Sequence, residues 1–427
     1  MGARVDIVVV GGGFAGLVAA RDLSQAGVAV ELLEARDRVG GRAWCGTPDS
    51  LGQAVELGGG WFDAVHQQPI RREAERYGIP VLPAPAFRCA RWFTGGELRS
   101  GLPVPVEALG DIERVIRGIG DAATRRTQGG DGEEHDVPVA EWLGRLSPHP
   151  ATRDFVYGWV ALMGGAPPDE QPMLAMLDLM ASAGGATAML TELSHVLGGG
   201  GTTGLADAIA ADIRGRVQTG AAVTGIRDRG DDVEVALADG GTLTARACVL
   251  AVPVNVRSSI HIDPAPDAVT AEALAHGQIC RAIKVWMLAT AVPDGMLAAG
   301  WGTPFYWLAA QRSVGEGQQL VVGFSLPELL DPADPDAVER ALQAYAPQAR
   351  VLAGASHDWN ADPFSRGGWM TEPPGWSTLG VLGRLAARQG RILIAGSDVA
   401  PEFAGWIAGA IASGTSAAAD VLGLLER

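Results

Sequence analysis

"VDIVVVGGGFAGLVAARDLSQAG", Val5 to Gly27, is the stretch on which the fold turns. The unbroken run Val5 to Val10 suits a parallel strand buried on both faces, and Leu17, Ala20 and Leu23 then recur with helical period. The reading is strand, glycine turn, helix. "VAVELLEA" adds a second strand ending at Glu34, about 20 residues past the glycines, where a carboxylate accepts hydrogen bonds from both hydroxyls of a ribose. In this frame Gly11 makes the tight turn, Gly13 lets the backbone approach a pyrophosphate, and Gly16 lets helix and strand pack closely. A dinucleotide site is expected.

Composition bounds the rest. A chain of 427 residues, 47% of them hydrophobic, can bury a large core and divide into two or three domains. Its net charge of -16 argues against nucleic acid or an anionic membrane surface as partner, since both demand a basic face. Cys45, Cys89, Cys248 and Cys280 form no CxxC pair, and the first residues show no ordered signal-peptide regions, so a reduced, cytoplasmic protein is expected. The seven histidines show no paired metal spacing, and neither a GxSxG elbow nor a P-loop occurs. "RTQGGDGEEHD", Arg126 to Asp136, is expected to be a solvated loop. Near the C-terminus, Phe403 to Ala419 carry no charge but consist mainly of small residues, which fits a buried helix that approaches something closely better than a membrane span.

"RDRVGGRAW", Arg36 to Trp44, places two glycines and Arg42 just after the acidic residue, so that backbone and guanidinium can both reach a pyrophosphate. It resembles the RxGGR element of the flavin amine oxidase (monoamine oxidase-like) family, here Arg38, Gly40, Gly41 and Arg42. "ELGGGWF" (Glu56 to Phe62), "GTTGLADAIAADI" (from Gly201) and "VQTGAAVTGIRDRGDDVEVALADGGTLTARACVLAVP" (from Val217) resemble further family segments in family order. "GRILIAGSDVAPEFAGWIAGAIASG" resembles the closing motif. "ERYGIP" and "HDWNADP" look most like the branch that oxidises hydroxynicotine.

The resemblance implies an α/β fold with a Rossmann-like, three-layer FAD domain around a parallel sheet, assembled from 1–75, 196–275 and 385–427. A substrate domain of mixed sheet and helices takes 76–195 and 276–384. Apolar periodicity agrees in outline, with β-patterned runs at 217–252 and 281–289 and a mainly helical 105–195. The cofactor implied is FAD. Its contacts are implied at Gly11, Gly13, Phe14, Ala15 and Gly16, at Glu34, Ala35 and Arg36, and at Gly41 and Arg42. The segment running beneath the flavin supplies Gly58, Gly59, Gly60 and Trp61. Val223 takes the adenine slot, Gly396, Ser397 and Asp398 lie near the ribityl chain, and Trp406 and Ile407 open the helix at the ring.

"CRAIKVWML", Cys280 to Leu288, alternates like a strand, so Lys284 shares a face with Ala282 and Trp286 while Ile283 and Val285 take the other. A lysine between apolar residues on both faces is a poor edge charge. The resemblance implies catalytic roles for three residues: Lys284 holding a water against flavin N5, and Trp369 and Trp406 as walls of an aromatic cage that favours an amine by cation-π attraction. Departures from the family are equally specific. Gly368 stands where some members carry a flavin-linked cysteine, which implies non-covalent FAD. Ala161 stands where the hydroxynicotine branch has an asparagine near the substrate ring, and Trp61 where amino-acid oxidases place a carboxylate-binding arginine.

The activity so implied is hydride transfer from the α-carbon of a bulky secondary, cyclic or aryl-alkyl amine to flavin, with an imine and hydrogen peroxide as products. The partners are a small-molecule amine and dioxygen, with no nucleic acid and no membrane; a homodimer is left open. Two alternatives stand beside it: a biosynthetic amine or amide oxidase whose imine cyclises, and a flavin-binding protein without turnover.

Overall fold

The computed structural model describes residues 5–130, 132–185 and 193–426. Parts of the sequence readings at the N-terminus, in the 126–136 loop and in the helical stretch to 195 lie outside the described residues.

Strand Val5–Val10 has parallel neighbours on both sides, Val30–Leu33 and Thr242–Leu250, and four of its six residues are buried. Arg216–Gln218 extends this sheet beyond Val30–Leu33, again in parallel. Thr242–Leu250 forks. Its first half pairs antiparallel with Val233–Leu237, and its second half pairs parallel with Ile392–Ile394. Val223–Asp228 and His261–Asp263 complete eight strands. The strands expected in 217–252 therefore continue the central sheet with two antiparallel pairings, after which the edge strand His261–Asp263 again pairs in parallel with Val223–Asp228.

Helix Ile407–Leu425 is long and apolar enough to cross a membrane by length and composition, yet half of it is buried in the protein. It packs against helix Phe14–Gln25 through its small residues. A Cβ added at Gly414 would lie 2.2 Å from the main-chain oxygen of Ala15, so the tail has small residues because two helix backbones touch there.

A second sheet has seven strands in the order Arg350–Ser356, Ile283–Thr290, Gln318–Ser325, Trp307–Gly315, Met296–Gly300, Cys89–Thr94, Glu97–Ser100. All its pairings are antiparallel except that of Met296–Gly300 with Cys89–Thr94. One face packs on helix Pro150–Gly164, where a Cβ at Gly158 would come within 2.8 Å of Gly300 O. The other face is covered by helix Pro335–Gln343. The helical stretch after residue 105 resolves into Leu109–Thr127, Val139–Gly144, Pro150–Gly164 and Met173–Ser182.

The 126–136 loop is more firmly tied than a solvated loop. His135 is buried and its Nδ1 accepts from Trp142 Nε1 at 2.9 Å, while the Asp136 carboxylate accepts from the amides of Gly375 and Thr378 and from the Thr378 hydroxyl. Polar composition concealed two anchors, because their partners lie more than 200 residues away in one case and on the next helix in the other.

Candidate active site

The turn after the first strand is shaped by what glycine leaves out. Gly11 has φ +105°, and a Cβ there would lie 2.7 Å from Ala251 O. At Gly16 a Cβ would lie 1.9 Å from Gly11 O, so only glycine lets the helix sit on the strand. Gly13 is the N-cap of helix Phe14–Gln25, and a Cβ there would meet nothing within 4 Å. That side of Gly13 faces open space. It is the wall of a cavity of about 440 Å³, lined here also by Gly11, Phe14, Ala15, Glu34, Ala35, Arg36 and Val223. Glu34 is buried, with its oxygens accepting from the amides of Gly12 (2.6 Å) and Arg36 (2.8 Å). The two amides fix the carboxylate at the end of the cavity. Arg36 itself pairs with Asp362 at 2.8 Å and so closes one side.

Along the middle of the cavity stand Gly41, Arg42, Gly58, Gly59, Gly60, Gly396, Ser397 and Asp398. Arg42 is not a free cation. It donates to Gly368 O (2.6 Å), to Ser397 Oγ (3.1 Å) and to Asp398 Oδ1 (2.5 Å), and Asp398 Oδ2 accepts from the amide of Val254 (3.0 Å). These bonds join four segments remote in sequence. Arg38 does not line the cavity; its guanidinium lies 4.4 Å from the Trp44 ring centroid and donates to main-chain oxygens of Val39 and Gly41. Gly59 repeats the character of Gly13, since a Cβ there would meet nothing within 4 Å.

The far end is aromatic. Alternation along Ile283–Thr290 sends Lys284 and Trp286 to the cavity side and Ile283, Val285 and Met287 into a separate core. Lys284 Nζ donates to the main-chain oxygens of Glu56 (3.0 Å) and Gly58 (2.5 Å) and lies 4.2 Å from the Trp61 ring centroid. Burial pushes its pKa down to about 7, with the Glu56 charge opposing the fall. Two of the three ammonium hydrogens are so used, and one remains for a further acceptor. Trp369 donates from Nε1 to Met163 O at 2.7 Å. Trp406 is the N-cap of helix Ile407–Leu425, and Ile407 also lines the cavity. Gly405, at φ +82°, joins the two segments: a Cβ there would lie 3.0 Å from Met370 N and 3.4 Å from Trp369 Cβ.

The residues expected to contact the cofactor or the substrate therefore line this one cavity, except Gly16, which forms the packing contact behind its wall; Arg38 of the RxGGR element stands outside it. Ala161 is fully buried in its helix and does not line it; Leu162 and Met163, one turn position on, do. Phe324, from the strand paired with Lys284, also lines the aromatic end and was not read from sequence. Its only local signal is an aromatic residue in the apolar run "LVVGF".

Glycine walls that leave open space, a fixed carboxylate at one end and a lysine among indoles at the other define a flavin-dependent oxidoreductase. The family model described as "Flavin containing amine oxidoreductase" matches residues 14–422. The chain belongs to that family, and its cofactor is FAD. It is 34% identical to (S)-6-hydroxynicotine oxidase of Paenarthrobacter nicotinovorans, over 95% of this chain and 96% of that one. It is 30% identical to pseudooxynicotine dehydrogenase of a Pseudomonas species, over 99% of this chain and 87% of the relative. A solved structure of putrescine oxidase bound to putrescine shares the fold, with TM-score 0.88 at 22% identity, covering 99% of both chains. The protein is an FAD-dependent oxidoreductase of amines.

Proposed function

We propose that this enzyme oxidises a neutral, bulky amine (secondary, cyclic or aryl-alkyl), with dioxygen as the final acceptor and hydrogen peroxide as co-product. The observation that carries this reading is the single cavity running from Glu34 to Lys284, Trp369 and Trp406. FAD bound along it supplies the acceptor for the hydride leaving the amine's α-carbon. Glu34 holds the ribose, the open sides of Gly13 and Gly59 admit the cofactor's close approach, and Arg42 with Asp398 braces the middle. The cofactor domain comprises 1–75, 196–275 and 385–427, and 76–195 with 276–384 forms the substrate domain.

Trp369, Trp406 and Trp61 exclude water from the reacting carbon and favour charge developing on nitrogen as the hydride leaves. Lys284 holds a water with its remaining hydrogen and places a positive charge at the same end. A second charge on the substrate would be desolvated among indoles beside that lysine, which selects against diamines and zwitterions. FAD is held non-covalently. Gly368 has no thiol, and Cys280 is buried behind it, outside the cavity lining, where a Cβ on Gly368 would come within 2.5 Å of its Sγ.

A panel of amines scored by anaerobic bleaching of the flavin absorbance tests the reading, with peroxide measured on readmitting air. Fast bleaching by cyclic or aryl-alkyl amines and stoichiometric peroxide are expected. Faster bleaching by putrescine or an L-amino acid than by every cyclic or aryl amine would overturn the substrate class. Reduced flavin that persists in air but passes electrons to a dye would overturn the acceptor.

A further inference from the structure

Glu56 sits behind the aromatic end without lining the cavity, and nothing above gives it a role. Its main-chain oxygen accepts from Lys284 Nζ at 3.0 Å and from Trp286 Nε1 at 2.9 Å. Its carboxylate accepts from the Thr202 amide (2.8 Å) and hydroxyl (2.6 Å), in the first turn of helix Gly201–Ala211. Glycines make the room it occupies. A Cβ at Gly60 would lie 2.5 Å from Glu56 Cγ, and one at Gly201 would lie 2.4 Å from Oε1. A half-buried carboxylate fixed at a helix start, whose own backbone holds the cavity lysine, is a costly arrangement unless its charge is used.

We propose that Glu56 is a positioning residue for Lys284: its carbonyl sets the ammonium beside Trp61, and its carboxylate, held by Thr202, keeps the proton on that ammonium. The inference rests on the reading of Lys284 as a group of the active site. Burial alone drives Lys284 toward the neutral amine, and the Glu56 charge is the larger of the two electrostatic influences that oppose it. The other is Cys45, which pairs with Glu56 across the two-stranded ribbon Cys45–Gly46 and Val55–Glu56. Burial pushes the Cys45 thiol up to about 11, so it is neutral where the enzyme works; Arg312 acts on Cys45 in turn. The strands flanking Lys284 put Phe324 and Ser356 next to it, and neither titrates near neutral pH. Burial raises the Glu56 pKa, while the two Thr202 donors hold it down. The charge on Glu56 thus depends on Thr202.

The test is the pH dependence of flavin reduction by a fixed amine in stopped flow, on holoenzyme. In the wild type a step near pH 7 is expected, and Lys284→Met should remove it. Glu56→Gln keeps the shape and loses the charge, so the step should move to lower pH by about 1 unit. Thr202→Val, which removes one donor from the carboxylate, should move it the same way by less. A second readout needs no turnover. Lys284 titrates near pH 7 when folded and about 10.4 when unfolded, so its contribution makes stability rise with pH between those values and fall as pH drops through them. The lower edge of that window, taken from melting temperature against pH relative to Lys284→Met, should extend to lower pH in Glu56→Gln. A step unmoved in both Glu56→Gln and Thr202→Val, with Lys284→Met still removing it, would overturn the role of Glu56 alone. A step that survives Lys284→Met would overturn the reading of Lys284, and the inference with it.

Discussion

At the Glu34 end of the cavity much of the wall is main chain, exposed because Gly11 and Gly13 carry no side chain; at the Lys284 end the walls are Trp61, Phe324, Trp369 and Trp406. The first end is built from neighbours in sequence, a strand, a turn and a helix within 30 residues. The second is gathered from five separate stretches by two sheets and a helix start. In the proposed reading the first end holds the cofactor against main chain, and the second accepts a substrate and excludes water, which side-chain size and polarity decide. Substitutions at the first end should therefore act on cofactor retention, and those at the second on turnover.

The largest effect is expected at Gly16. A valine there would drive Cβ into a main-chain oxygen 1.9 Å away, which no side-chain rotation relieves, so helix and strand must separate. Overpacking on this scale costs about 3 kcal/mol or more, and Gly16→Val should melt several degrees lower and purify without yellow colour. Normal flavin content in this variant would break the distinction between the ends. Glu34→Ala comes next. It removes charged hydrogen bonds worth roughly 1.5 to 3 kcal/mol and should weaken FAD binding about 10- to 150-fold by titration of the apoprotein. Stability of the apoprotein should change less than the binding constant does. Gly13→Ala sharpens the contrast with Gly16, because its Cβ would touch no protein atom yet project into the cavity. The apoprotein's melting temperature should stay within about a degree while FAD affinity drops by about 1 kcal/mol, at the low end of the overpacking range.

Legibility in the sequence followed the same divide. The glycine turn, Glu34 and the small-residue tail could be read because each is set by local spacing, and the tail's helix contact leaves its mark as glycine at Gly414. The strands at Met296–Gly300, Trp307–Gly315 and Gln318–Ser325 left little mark. They are buried on both faces over much of their length, so no alternation of polar and apolar residues survives there. Their loss hid Phe324, which faces the cavity only because its strand pairs with that of Lys284. Ala161 shows a second reason. It was placed by resemblance alone, and it is buried while Leu162 and Met163, the next residues of the same apolar helical run, line the cavity, so the run carries no periodic mark of which residues face it. Asp136 was hidden for a third reason, since a turn residue reveals nothing about a partner loop at Gly375 to Thr378.

The effect expected at Trp406 overlaps that at Gly13 in size, and it tests the second end on its own terms. Its indole lines the cavity, but its backbone is what starts helix Ile407–Leu425: the Trp406 carbonyl accepts from the Ala410 amide at 3.0 Å, and its own amide donates to Phe403 O at 3.0 Å. Alanine keeps both bonds, so the helix start and the contact of Gly405 with Met370 survive the substitution. What is lost is an aromatic face, and cation-π attraction of roughly 0.5 to 2 kcal/mol converts to about a 2- to 30-fold slower flavin reduction by the best amine. The loss should fall on the limiting reduction rate more than on amine affinity, because charge on nitrogen grows as the hydride leaves. FAD affinity should remain within about twofold of wild type. If Trp406→Ala released the flavin while reducing any that stayed bound at the wild-type rate, this residue would belong to the cofactor end, and the division of the cavity would have to be redrawn between Trp406 and Trp369.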